Sequence, residues 1–93
     1  MTHYHRPSTT IDVRVDGHPA RARLDGRDYA SAAGRAAARS IGRRASAVYG
    51  VTDDGRTDWG DGTQTRHYVV TVTTGPRNGD VHPVRRVRVA IDT

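Results

Sequence analysis

The chain has 93 residues, enough for one domain, and contains no cysteine, which excludes disulfides, thiolate metal sites and thiol nucleophiles. Its net charge of +5 comes from 15 arginines, with no lysine, set against ten aspartates, with no glutamate. Leu, Ile and Val together number 15 and Phe is absent, so any core is small and leans on alanine, and a homodimer is one way to enlarge it. The first ten residues lack an apolar targeting core, and no run nears the roughly 18 apolar residues of a membrane span; a cytoplasmic protein without membrane contact is the expectation.

Residues 1–9 mix His, Tyr, Arg, Pro and Ser without apolar period and read as a flexible N-terminal arm, leaving 10–93 as a single α+β domain. From Thr10, Ile11, Val13 and Val15 alternate with Asp12, Arg14 and Asp16, the period of a half-buried strand. Asp16-Gly17 signals a turn, after which Ala20, Ala22 and Leu24 alternate with Arg21 and Arg23, so the two segments form a hairpin. Asp28 is placed to cap a helix running from Tyr29 to about Ile41, with Ala30, Ala33, Ala37 and Ile41 on its buried side. Arg35, Arg39 and Arg43 recur every four residues on the other side, and Gly42 suits the C-terminal cap.

Ala47, Tyr49 and Val51 alternate as a third strand, and residues 52–63, rich in Gly and Asp, read as a long hairpin loop. Tyr68, Val70 and Val72 place a fourth strand, a Gly-Pro-rich turn follows, and Val87, Val89 and Ile91 alternate with Arg86, Arg88 and Ala90 in a fifth. The order β-β-α-β-β-β with short connections predicts a mainly antiparallel sheet with one helix packed on one face, a two-layer sandwich.

Alternation sends Arg14, Arg21, Arg23, Arg86 and Arg88 to the sheet face away from the helix, with Thr71 and Thr73, while Tyr49 and Tyr68 fall on the helix side. Such a basic face can neutralise phosphates, although solvated strand faces are commonly charged and Asp12 and Asp16 can pair with some of these arginines. The helix stripe of Arg35, Arg39 and Arg43, extended by Arg44, is a second basic surface, expected to face the opposite way.

Trp59, the only tryptophan, stands in the Gly- and Asp-rich segment with Arg56 nearby, a candidate anchor for a protein partner or a cover for a small core. Asp53, Asp54, Asp58 and Asp61 lack calcium-loop spacing and read as turn residues. Among His3, His5, His18, His67 and His82, only the His3/His5 pair has metal-ligand spacing, on an unstructured arm. With no nucleophile-base motif, phosphate-cradling loop or cofactor signature, neither an enzyme nor a cofactor is expected. The leading expectation is a small nucleic-acid-binding accessory protein contacting phosphates without sequence preference; the alternative is a protein-interaction module using the Trp59 loop and a strand edge.

Overall fold

A computed structural model describes residues 8–76, 79 and 81–93, which form a five-stranded antiparallel sheet with one helix packed on one face, an α+β fold. The elements are β1 (Ser8–Val15), β2 (His18–Asp25), α1 (Tyr29–Ser40), a single 3₁₀ turn (Ala45–Ala47), β3 (Val48–Asp58), β4 (Gln64–Thr73) and β5 (Val84–Asp92). Across the sheet the order is β2-β1-β5-β4-β3, so a two-stranded hairpin and a three-stranded meander meet where β1 pairs with β5. Ser8 and Thr9 already pair with Asp25 and Leu24 inside β1. The rest of the arm, with His3 and His5, lies outside the described residues.

Local chemistry accounts for the hairpin and the helix. Asp16 and Gly17 both take positive φ, 49° and 82°, the mirror-image turn whose twist matches the flanking strands. Asp28 caps α1: its carboxylate accepts from the Ser31 amide at 3.2 Å and from the Ser31 hydroxyl at 2.8 Å. Beyond the last turn, Gly42 sits at φ 70°, and the amides of Gly42 and Arg43 return to the carbonyls of Arg39 and Ala38, a Schellman stop.

One core fills the space between helix and sheet. Val13, Val15, Ala22, Leu24, Tyr68, Val70, Val72, Val87, Val89 and Ile91 bury against Ala32, Ala33, Ala36, Ala37 and Ala38. Alternation therefore assigned the inner faces of β1, β2, β4 and β5 correctly. On the helix the buried arc is wider than 100° spacing around Ala33 and Ala37 suggests, and it shifts away from Ala30, which is exposed. The sheet is broad enough to cover six of the seven consecutive helix positions from Ala32 to Ala38, all but Arg35. Each alanine methyl contributes only roughly 0.8 kcal/mol on burial, so close backbone approach compensates for small side chains. Gly34 lies directly against β3: a Cβ there would meet Val51 Cγ2 at 3.4 Å and Val48 Cγ1 at 3.6 Å.

Besides Ala30, three sequence expectations need correction. Residues 52–58 are not loop: β3 continues to Asp58, because pairing with β4 satisfies its backbone despite the low strand propensity of Asp and Gly. The chain absorbs the mismatch in register shifts between Val48 and Gly50 and between Asp53 and Arg56; at the second, Asp53 Oδ1 accepts from the Gly55 amide at 2.8 Å. The first shift also moves Tyr49 off the helix side, leaving it 75% exposed while Val48 and Val51 take the inward positions. Finally, Arg35 does not stand opposite the core but at its flank, above the outer edge of β2.

Candidate functional site

The two arginine sets meet along the β2 edge. β2 is an outer strand, and Arg35 reaches over it to donate from Nη2 to the Arg23 carbonyl. The same strand parity turns Pro19, which has no N–H, toward the open edge, so two devices blunt this edge against pairing with another strand. Between strand edge and helix runs a cleft of about 370 Å³ lined by Arg21 and Arg23 from β2, Arg35 and Arg39 from α1, and Arg43 beyond it. Ala22, Ala36 and Ala45 form its apolar floor. The surfaces expected to face opposite ways are thus joined around one edge.

Carboxylates pair with part of this arginine set. Asp25 Oδ2 lies 3.3 Å from Arg23 Nη2 and 3.8 Å from Arg35 Nη2, and Asp12 Oδ1 lies 3.4 Å from Arg21 Nε. Arg39, Arg43 and Arg44 are exposed and have no carboxylate at ion-pair distance among the described residues. They follow or end a helix whose terminal carbonyls favour nearby cations.

The open sheet face is less uniformly basic than alternation suggests. Arg14 donates from both terminal nitrogens to Asp92, at 2.8 and 3.1 Å, binding β1 to β5 side chain to side chain. That bridge lies just beyond the two residue pairs that set the register of β1 against β5, Arg14 with Ala90 and Val15 with Val89. On the other side of those pairs, the Asp16 amide donates to the Arg88 carbonyl at 2.8 Å, and Asp16 Oδ1 accepts from the Arg88 amide at 3.0 Å. Asp16 also lies 3.7 Å from Arg85. The guanidiniums of Arg86 and Arg88 remain exposed on this face without a carboxylate partner among the described residues.

Trp59 belongs to the same open face. The residue is 62% exposed, yet its indole N–H donates to Thr65 Oγ1 at 2.8 Å, and Thr65, itself buried, donates to Asp92 Oδ1 at 2.6 Å. A chain of side chains, Trp59 to Thr65 to Asp92 to Arg14, therefore ties the β3–β4 loop to β5 and β1. The Arg14 guanidinium, then the Thr65 hydroxyl, hold the Asp92 carboxyl below the usual carboxylate range, and Asp92 in turn holds the Arg14 guanidinium above its own. Arg14, Trp59, Thr63, Gln64, Asp92 and Thr93 line a shallow cleft of about 430 Å³ over this network. Arg56 is exposed on the outer strand β3.

The loop itself is built from aspartates acting as turn formers. Asp58 Oδ1 accepts from the Gly60 amide at 2.9 Å, and Asp61 Oδ1 accepts from the Thr63 amide at 3.0 Å and from the Thr63 hydroxyl. The Thr63 hydroxyl and amide hold the Asp61 carboxyl below its ordinary range. No group of three His or Asp side chains that could hold a metal ion occurs among the described residues.

Sequence reasoning missed Thr65, Asp92 and two further contacts. His67 Nε2 and Thr57 Oγ1 lie 3.0 Å apart across β3 and β4, and the Arg66 guanidinium stacks 4.7 Å from the Tyr29 ring centre. The signal for Thr65 was present in the alternation of β4, where Thr65 and His67 share the parity of Val69 and Thr71. Its partners are not legible, because Asp92 and Trp59 lie 27 and 6 residues away in sequence. No helix of the described chain is long and apolar enough to cross a membrane. Compared with protein-family models, with curated proteins and with solved structures, the chain matches none.

Proposed function

We propose that the protein binds nucleic acid through its phosphates, without base-specific contacts, in the groove between the β2 edge and α1. The observation that carries this reading is the convergence of Arg21, Arg23, Arg35, Arg39 and Arg43 on one cleft. Arginines at alternate strand positions repeat about every 7 Å and those four apart on a helix about every 6 Å, close to two 3.4 Å axial steps of one nucleic-acid strand. Trp59 lies across the sheet and Tyr49 on the far edge strand, so among the described residues the groove has no aromatic platform on which single-stranded bases could stack. The ligand is therefore read as a backbone, with duplex bound at least as well as single strand.

The test is anisotropy titration of nuclease-treated protein with labelled duplex and single-stranded DNA and RNA at several salt concentrations. Five phosphate contacts predict a log-log salt slope of about −4.5 on duplex DNA. Arg39→Gln/Arg43→Gln should lower affinity for all sequences alike and flatten the slope by about 2. Absence of binding at low salt refutes the proposal.

A second reading, a module that captures a protein partner, is favoured by Trp59. The ring is mostly exposed but held by its own N–H, so little side-chain freedom is lost when it is buried at an interface. Trp59→Ala, tested for loss of a partner captured by the wild type, separates the two readings.

A further inference from the structure

We infer that a second copy of this chain docks its Asp58–Trp59–Gly60–Asp61 loop into the arginine groove, so that copies associate head to tail. The inference rests on the groove being the chain's anion-binding surface and names one occupant for it. Complementarity is both ionic and apolar. The loop presents two exposed carboxylates, Asp58 and Asp61, on either side of an exposed indole. The groove presents two exposed guanidiniums, Arg39 and Arg43, with no carboxylate at ion-pair distance among the described residues, around an alanine floor. An indole seated on Ala22, Ala36 and Ala45 would lie beside guanidiniums that can stack on its face.

The contact has to be made between copies. The loop joins β3 to β4, and β4 stands three strands from β2, about 14 Å away at ordinary strand spacing. Trp59 also lies on the face away from the helix, tethered there by Thr65. Because loop and groove are different surfaces of one molecule, each copy can use both at once, and the contact is heterologous: it continues into a ring or an open chain. The same groove cannot hold a loop and a phosphate backbone together, so nucleic acid and self-association compete.

Two variants divide the contact. Asp58→Asn/Asp61→Asn removes the loop's charges while amide oxygens keep the turn hydrogen bonds that the carboxylates now accept. Arg39→Gln/Arg43→Gln changes exposed side chains only. Sedimentation equilibrium of nuclease-treated wild type at up to about 1 mM protein should give masses rising with concentration above the 10.2 kDa monomer at about 50 mM salt, and monomer at about 0.5 M salt. Each variant alone should associate at least tenfold more weakly, whereas their equimolar mixture should form a complex of two chains and no more, the loop of one filling the groove of the other. A wild type that is monomeric throughout, a single variant that still associates like wild type, or a mixture that stays monomeric overturns the inference. Anisotropy on the same proteins separates it from the groove's role with nucleic acid. The loop variant should bind duplex as well as wild type or better, and failure of duplex binding with self-association intact would sink only the nucleic-acid reading.

Discussion

Thr65→Val tests whether the buried hydroxyl beneath Trp59 couples the loop to the seam between β1 and β5. Valine keeps the shape of threonine and deletes one donor and one acceptor. The acceptor takes the Trp59 indole N–H at 2.8 Å, and the donor serves Asp92 at 2.6 Å. A hydrogen bond contributes about 1 kcal/mol net, more toward a charged acceptor, but water reaches Asp92, whose side chain is 59% exposed. The expected loss is therefore about 2 kcal/mol, which for a domain of this size lowers Tm by about 8–16 °C. Urea unfolding followed by the fluorescence of Trp59, the only tryptophan, measures both effects: an earlier midpoint at unchanged slope, and a native spectrum shifted as the indole loses its anchor. Thr65→Ser keeps the hydroxyl and should lie much nearer wild type. In a double-mutant cycle with Trp59→Phe, read by circular dichroism, about 1 kcal/mol of coupling is expected. A Thr65→Val midpoint within about 0.5 kcal/mol of wild type would refute the network as a source of stability.

The Arg14–Asp92 pair should make stability fall in acid. The Asp92 carboxyl is held below its unfolded range, so its contribution is complete above about pH 4 and is lost as pH falls through the lower folded value. Both side chains are about half exposed, which limits the contribution to at most about 1 kcal/mol; the gap between wild type and Asp92→Asn in thermal melts should close below that pH, and a constant gap would contradict the ion-pair origin. Gly34→Ala should raise Tm, since the added Cβ makes ordinary contact with Val48 and Val51 while helix propensity improves by up to about 1 kcal/mol; Gly34→Leu should lower it by overpacking, and a destabilising alanine would mean the interface cannot take one methyl. Gly42→Ala, at φ 70°, should cost about 1–2 kcal/mol in urea titration, and a neutral result would show that the helix ends without the left-handed cap.

Much of the fold is legible because its signals are local. Asp28 before Tyr29 and Gly42 after Ser40 act on backbone groups within a few residues, and alternation in β1, β2, β4 and β5 reflects the pleat of each strand alone. For β3 only the presence of a strand was legible; its second half and the outward side of Tyr49 escaped because it is an edge strand with two register shifts, where Tyr49 and Asp53 to Arg56 break the two-residue period that sequence reading relies on. The arginines of the candidate groove could be named from sequence but not assembled, since their convergence depends on α1 lying along β2 with Arg35 turned over that strand's edge.

The sequence by itself determined which segments are helix and strand in outline, the ββαβββ order, and the excess of arginine over aspartate, because propensity, period and turn chemistry operate over neighbouring residues. Tertiary structure alone decided the strand order β2-β1-β5-β4-β3, and with it which charges are neutralised and which remain exposed. Closing β5 against β1 brings Asp92 to Arg14, 78 residues away, and pairs that arginine while leaving it about half exposed; packing α1 beside the β2 edge gathers five others into one groove. Electrostatic strength depends on distances of a few ångströms between residues far apart in the chain, and those distances exist only once the sheet has closed.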